Sequence, residues 1–124
     1  MCIRDRSLTR SIARSLDRPD VRATFNLCHW LKVEGDSDPL PVLEASLDVL
    51  GLVTINGADR GGTNWRELIQ PLDAGTYDVA AFVHGLIDLG YAGAVGLQGY
   101  GVPGDPRQNL ARAWARWNEI VARP

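Results

Sequence analysis

A chain of 124 residues with 45% hydrophobic content is enough for one small domain, and a formal net charge of -2 gives no general attraction to nucleic acid or to an anionic membrane surface. Two cysteines, Cys2 and Cys28, are too few for a disulfide framework or a cysteine-based zinc site, and no apolar run approaches the roughly 18 residues that would span a bilayer. The expected setting is the cytoplasm, with no nucleic-acid and no membrane partner.

The opening "MCIRDRS" lacks the apolar segment of a secretory leader. It is similar to a string that opens truncated chains from environmental sequence assemblies, so residues 1–20 are read as a preceding helix with an artefact at its start, and the true start is expected upstream. Leu8, Ile12 and Leu16 fall on one helical face, and Arg10, Arg14 and Arg18 form a second stripe. That stripe either meets phosphate or is a solvated face; the absence of interleaved aromatic residues favours the second. Arg18-Pro19 stops the helix, and "VRATFNL" reads as a strand.

In "GDSDPLPVLEASLDVLG", Asp38 can cap, the prolines suit a first turn, and Val42, Leu43, Leu47 and Leu50 supply an apolar helical face before Gly51. The strand "LVTI" follows at once. After the loop "NGADRGGTNWRELIQPLDAGTY", Phe82, Leu86 and Leu89 mark a third helix ending at Gly90, and "GAVGLQ" is a third strand. The final helix starts at Asp105-Pro106, and its spacing predicts burial of Leu110, Trp114, Trp117 and Val121. The predicted order is αβαβαβα.

Strands separated by helices require crossovers, which makes the three strands parallel neighbours in one sheet. Val21, Ala23, Phe25 and Leu27 alternate with Arg22, Thr24 and Asn26; Val53 and Ile55 with Leu52, Thr54 and Asn56; Val95 and Leu97 with Gly96 and Gln98. One face is apolar, and the other grows polar toward the carboxyl ends. A (β/α)₈ TIM barrel needs that polarity at its mouth. A doubly wound sheet, which also places its site beyond the carboxyl ends, is the second reading of the fold.

The segments "FNLCHWLKVEG", "VTINGAD", "NWRELIQPLDAGTYDV" and "LIDLGYAGAVGLQGYG" resemble, in order and spacing, the last three strand–helix units of the xylose-isomerase-like sugar phosphate isomerase and epimerase barrels. The likeness runs from about Val21 to the end. It implies an α/β chain whose residues 21–124 form only the C-terminal part of the barrel, about three strand–helix units, completed by a missing N-terminal part.

The resemblance also implies a site. Metal-dependent members hold a divalent ion with carboxylates and an imidazole at the ends of four strands, and two of the carboxylates shuttle a proton. The first ligand would stand on a strand this chain lacks. Where such members have Asp before His, this sequence has Asn26 before His29; the histidine-bearing strand reads "VTING", with Thr54 or Asn56; the last acid corresponds to Gln98. A carboxamide contributes no charge to a hard cation and does not titrate near neutral pH, but it donates and accepts at once, as a sugar hydroxyl does. The expectation is therefore a polyhydroxylated ligand, a sugar or polyol, contacted by Asn26, Asn56, Gln98 and Arg60, with no metal and no cofactor in this sequence. For Gln98 the plainer reading is that it satisfies neighbouring backbone groups.

His29 is the one acid–base histidine at a predicted strand end, and its roles span general base, substrate donor, residual ligand or structural hydrogen bond. Cys28 beside it is read as buried and inert rather than nucleophilic, because neighbours on a strand face opposite ways. His84 falls mid-helix. Glu34 and Asp59 follow strands but are equally ordinary loop acids. "GYGVPG" matches G-x-G-x-x-G, yet the chain ends after one more helix, so a dinucleotide site fails. A phosphate at the following helix start would meet Asp105. In "NGADRGG", Arg60 is either an anion or carboxylate contact or part of a flexible turn. Two function classes follow: a sugar (phosphate) isomerase or epimerase, and a non-catalytic carbohydrate-binding or structural relative that has lost its metal.

Overall fold

The computed structural model describes residues 6–123, and side chains from Thr9 onward. The first residues of "MCIRDRS", with Cys2, lie outside the described residues, and the side chain of Leu8 lies outside the described side chains.

The elements are α1 (Arg6–Ser15), β1 (Ala23–Asn26), α2 (Leu27–Glu34), α3 (Leu40–Glu44), β2 (Leu50–Ile55), α4 (Trp65–Leu68), α5 (Val79–Asp88), β3 (Ala94–Leu97) and α6 (Pro106–Ala122). Two short helices, α2 and α4, join the predicted order. Asn26 closes β1 with extended backbone and serves as the residue before the first turn of α2, so the chain passes from strand to helix without a loop. Leu27, Cys28, Trp30 and Leu31 then turn one helical face inward. Asn64 starts α4: its Oδ1 accepts from Glu67 N at 3.1 Å while Glu67 Oε2 accepts from Thr63 N, a reciprocal cap written in the sequence as N-x-x-E.

The helix after Asp38 is shorter than its apolar spacing predicts. It ends at Glu44, because Ser46 Oγ donates back to the Val42 carbonyl and Ala23 N donates to the Val49 carbonyl at 2.7 Å, drawing Val49 and Leu50 into the sheet. Leu50 is consequently a buried strand residue. Gly51 beside it has no room for a side chain: a Cβ there would lie 2.7 Å from the Arg22 Cβ.

The three strands form one parallel sheet in the order β1-β2-β3. Thr24 pairs with Leu52, Phe25 with Val53, Asn26 with Thr54, and across β2 Thr54 pairs with Gly96 and Ile55 with Leu97. Phe25, Val53 and Ile55 join Leu27, Leu31, Leu43, Phe82, Val83 and Leu86 in the main core, with Val95 against it. Phe25 stacks on Phe82 at 5.9 Å between ring centroids and tilts against Trp30 at 5.8 Å. Each such fully buried side chain stabilises the fold by about 1.5–3 kcal/mol relative to exposure. On the opposite face Thr24, Asn26, Leu52, Thr54 and Gly96 are half-buried and belong to neither core cluster. The vacant Cβ direction of Gly96 points at Leu52 Cδ1 and Thr54 Cγ2, both 3.6 Å away, so these side chains share that face. Among the described residues, helices cover one side of the sheet and leave the other without a layer of its own.

The final helix is rotated from its predicted setting. Leu110, Trp114 and Val121 are exposed and Trp117 is half-buried, while Ala113 and Ile120 are buried. Both stripes have helical spacing; α6 lies against α5, where His84 Nε2 donates to the Ile120 carbonyl at 2.8 Å. The half-buried His84 is thus a tie between helices. Leaning toward α5, α6 stands off β3 and opens an apolar groove of about 330 Å³ along Val95, Leu97, Leu110, Trp114 and Trp117.

Ile120→Ala is expected to lower the stability of the 1–124 chain by about 2–5 kcal/mol, and Trp114→Ala by less than about 0.5 kcal/mol, read from urea denaturation midpoints. The reverse ranking would return α6 to the predicted setting.

Candidate functional site

The polar groups at the carboxyl end of the sheet begin with Asn26 and Thr54. They face each other in register on β1 and β2, and Thr54 Oγ1 donates to Asn26 Oδ1 at 2.5 Å. Thr54 faces Gly96 on its other flank, whose missing side chain leaves the bare face open beside the pair.

Gln98 follows β3. Its backbone N donates to the Ile55 carbonyl at 2.9 Å and so extends the β2–β3 ladder by one rung. Its side-chain Oε1 accepts from Tyr100 N at 3.0 Å, which closes the turn into the glycine-rich loop. That contact is of the plainer predicted kind, to neighbouring backbone. It also borders a cavity of about 190 Å³ with Gln70, Leu72, Val102, Asn109 and Ala113, beneath the first turns of α6.

Asn56 stands elsewhere. It is fully buried, and its Nδ2 donates to the Gly57 carbonyl at 2.8 Å and to the Leu68 carbonyl at 2.5 Å. Beyond Ile55 the chain leaves the sheet, and Gly57 forms an antiparallel bridge with Gln70. The strand alternation that predicted Asn56 at the mouth ends one residue too early, and the side chain staples the β2–α5 connection instead.

His29 lies in the first turn of α2, exposed, three residues beyond Asn26. Its ring meets Trp65 edge-on at 5.6 Å, and Lys32 Nζ sits 5.6 Å from the same indole while donating to the Thr63 carbonyl. A half-exposed indole flanked by an imidazole and an ammonium thus crowns the β1 end of the site. Nothing in the hydrophobic spacing singles out Trp65; the N-x-x-E cap around it was the available signal. Cys28, next to His29, is fully buried because α2 turns it inward.

Arg60 occupies a separate cleft of about 220 Å³ with Asp36, Asp38, Tyr77 and Asp78. Burial pushes the Tyr77 phenol above its ordinary range, and the neighbouring Asp38 carboxylate adds to this. The acids there serve the backbone: Asp36 accepts from Gly61 N, Asp38 from Leu40 N and Asp78 from Ala81 N. Asp59 likewise accepts from Thr76 N. Glu34 ends α2 on the surface. At the start of α6, Asp105 accepts from Arg107 N, so the "GYGVPG" loop leads into a helix whose cap is already a carboxylate. The structure accordingly joins Asn26 to Thr54, sets His29 and Gln98 on flanking elements, and separates Asn56 and Arg60 from them.

The divalent ion implied by the family resemblance does not fit these residues. Asn26 Oδ1 and Gln98 Oε1 are neutral oxygens already accepting hydrogen bonds, and Asn56 is sealed in the core. Among the described residues, no group of three or more His, Cys, Asp or Glu is arranged to hold a metal ion. Hard dications are held mainly by charged oxygens. Comparison with protein-family models finds none that matches the chain, and comparison with curated proteins likewise finds no match. No helix among the described residues is long and apolar enough to cross a membrane.

Elemental analysis of the protein is expected to find no stoichiometric manganese, magnesium, cobalt or zinc. About one metal per chain, released by Gln98→Ala or His29→Ala, would make these positions ligands.

Proposed function

We propose that this chain supplies the last three βα units of a xylose-isomerase-like (β/α)₈ barrel, and that the bare sheet face binds a polyhydroxylated small molecule at the barrel mouth. The observation that carries the reading is the Asn26–Thr54 pair on a sheet with helices on one face only. A hydroxyl and a carboxamide side by side combine donor and acceptor groups, as the hydroxyls of a polyol do. Gln98, one rung beyond β3, and His29, one helical turn beyond Asn26, flank that pair. The activity proposed is isomerisation or epimerisation of a sugar or sugar phosphate, with His29 as the proton-transfer group contributed by this part of the chain. The Arg60 cleft is set apart from this ligand.

The second reading, a carbohydrate-binding relative without catalysis, is favoured by one specific feature. The strand-end positions that share the site carry Asn26, Thr54 and Gln98, none of which titrates near neutral pH.

Calorimetric titration of the full-length protein with aldoses, ketoses and polyols tests the site, and solvent deuterium wash-in at the carbon beside the carbonyl tests the chemistry. Saturable binding is expected, weakened about tenfold or more by Asn26→Leu, as for loss of a hydrogen bond to a neutral group with its partner left unsatisfied. His29→Gln is expected to stop wash-in while leaving binding in place. Wash-in absent from the unmodified protein would select the non-catalytic reading, and no binding to any polyhydroxylated compound would overturn both.

A further inference from the structure

The β2–α5 connection carries a chemically labile dipeptide that the fold holds in check. Asn56 precedes Gly57. A glycine in that place leaves the backbone nitrogen unhindered for attack on the asparagine side chain. In the reaction the Gly57 nitrogen bonds to Asn56 Cγ and gives up its proton, and the side-chain nitrogen leaves as ammonia. The cyclic imide then takes up one water and opens to aspartate or isoaspartate. Water is the only co-reactant.

In the closed loop both reacting groups are committed elsewhere. Gly57 N donates to the Gln70 carbonyl at 3.1 Å, and Gln70 N returns a bond to the Gly57 carbonyl at 2.8 Å. The Asn56 amide donates both its bonds inward, to the Gly57 and Leu68 carbonyls, and the residue is fully buried. Gly57 is also closely surrounded: a Cβ built there would lie 2.0 Å from the Pro71 carbonyl oxygen and 2.5 Å from that of Ala74, so only glycine fits against this segment. Attack requires the segment from Asn56 to Pro71 to open.

Conversion would not be reversed by reclosing. An aspartate in the same place has no N–H to give to the two carbonyls and would set a charge against them in the core. No donor among the described residues reaches Asn56 Oδ1 to soften that cost. An isoaspartate adds a backbone atom between the β2 ladder and the Gly57–Gln70 bridge, which destroys their register. We infer that Asn56–Gly57 is a fold-gated deamidation site: the closed loop protects it, opening exposes it, and conversion locks the loop open. This inference stands independently of the ligand proposed above.

The test is peptide mapping by mass spectrometry after prolonged incubation of the full-length protein in mildly alkaline buffer, with and without denaturing urea. Conversion at Asn56 is expected to be at least about tenfold slower in the folded protein, as for any reaction limited to a locally opened state. Hydrogen exchange on Asn56→Asp supplies the second arm. That variant is expected to lose amide protection at Gly57 and Gln70 while amides in β1 and β2 keep theirs. Equal conversion rates in the two conditions would overturn the gating, and native protection at Gly57 and Gln70 in Asn56→Asp would overturn the lock.

Discussion

The structure depends on β2 being hydrogen-bonded on both sides to parallel neighbours in chain order. Parallel neighbours cannot be joined by a tight turn, so each connection must travel back across the sheet. Residues from α2, α3, α5 and α6 all meet the same strand face, through Phe25, Val53 and Ile55. A doubly wound sheet would reverse its strand order and carry a second helical layer; these three strands do neither. The proposed ligand site follows from that asymmetry, because among the described residues it leaves Thr24, Asn26, Leu52, Thr54 and Gly96 without a covering layer.

The same arrangement leaves β3 at an edge, with α6 tilted away from it. Leu110 is 60% exposed and Trp114 66%, a density of apolar surface that a small monomer rarely presents in one place. Under the proposed barrel, the edge beside β3 and α6 is where the first strand–helix unit would close the ring. The β2–α5 connection is by contrast tightly determined, with Asn56, Gly57, Gln70 and Pro71 meeting through backbone hydrogen bonds and contacts too close for any side chain at Gly57.

Much of the strand layout was legible in the sequence because alternation survives wherever one face is buried: Phe25, Val53, Ile55 and Val95 face the core as their spacing predicts. The failures have local causes. α2 was hidden because "ATFNLCHW" is apolar at both strand and helix periods, and the change of period falls inside the run at Asn26. The α3 boundary moved because Leu50 satisfies a helical stripe and a strand face equally, and sheet pairing decided between them. α6 offers two overlapping apolar stripes, and the one carrying Ala113 and Ile120, not the one carrying Trp114, is buried. At the site, Asn26 and Gln98 were legible as strand-end amides. The burial of Asn56 was not, since it depends on Leu68, twelve residues away in a helix that spacing alone did not reveal.

Thiol labelling across adjacent positions of β2 addresses the one-sided sheet most directly. With Cys2 changed to serine and the fully buried Cys28 as internal reference, single substitutions Thr54→Cys and Val53→Cys are compared in the 1–124 chain. Thr54→Cys is predicted to react rapidly with a water-soluble alkylating agent, and Val53→Cys, whose parent side chain is fully buried, to react no faster than Cys28. Protection of both positions would mean that a second layer covers the Asn26–Thr54 face and would contradict the one-sided sheet.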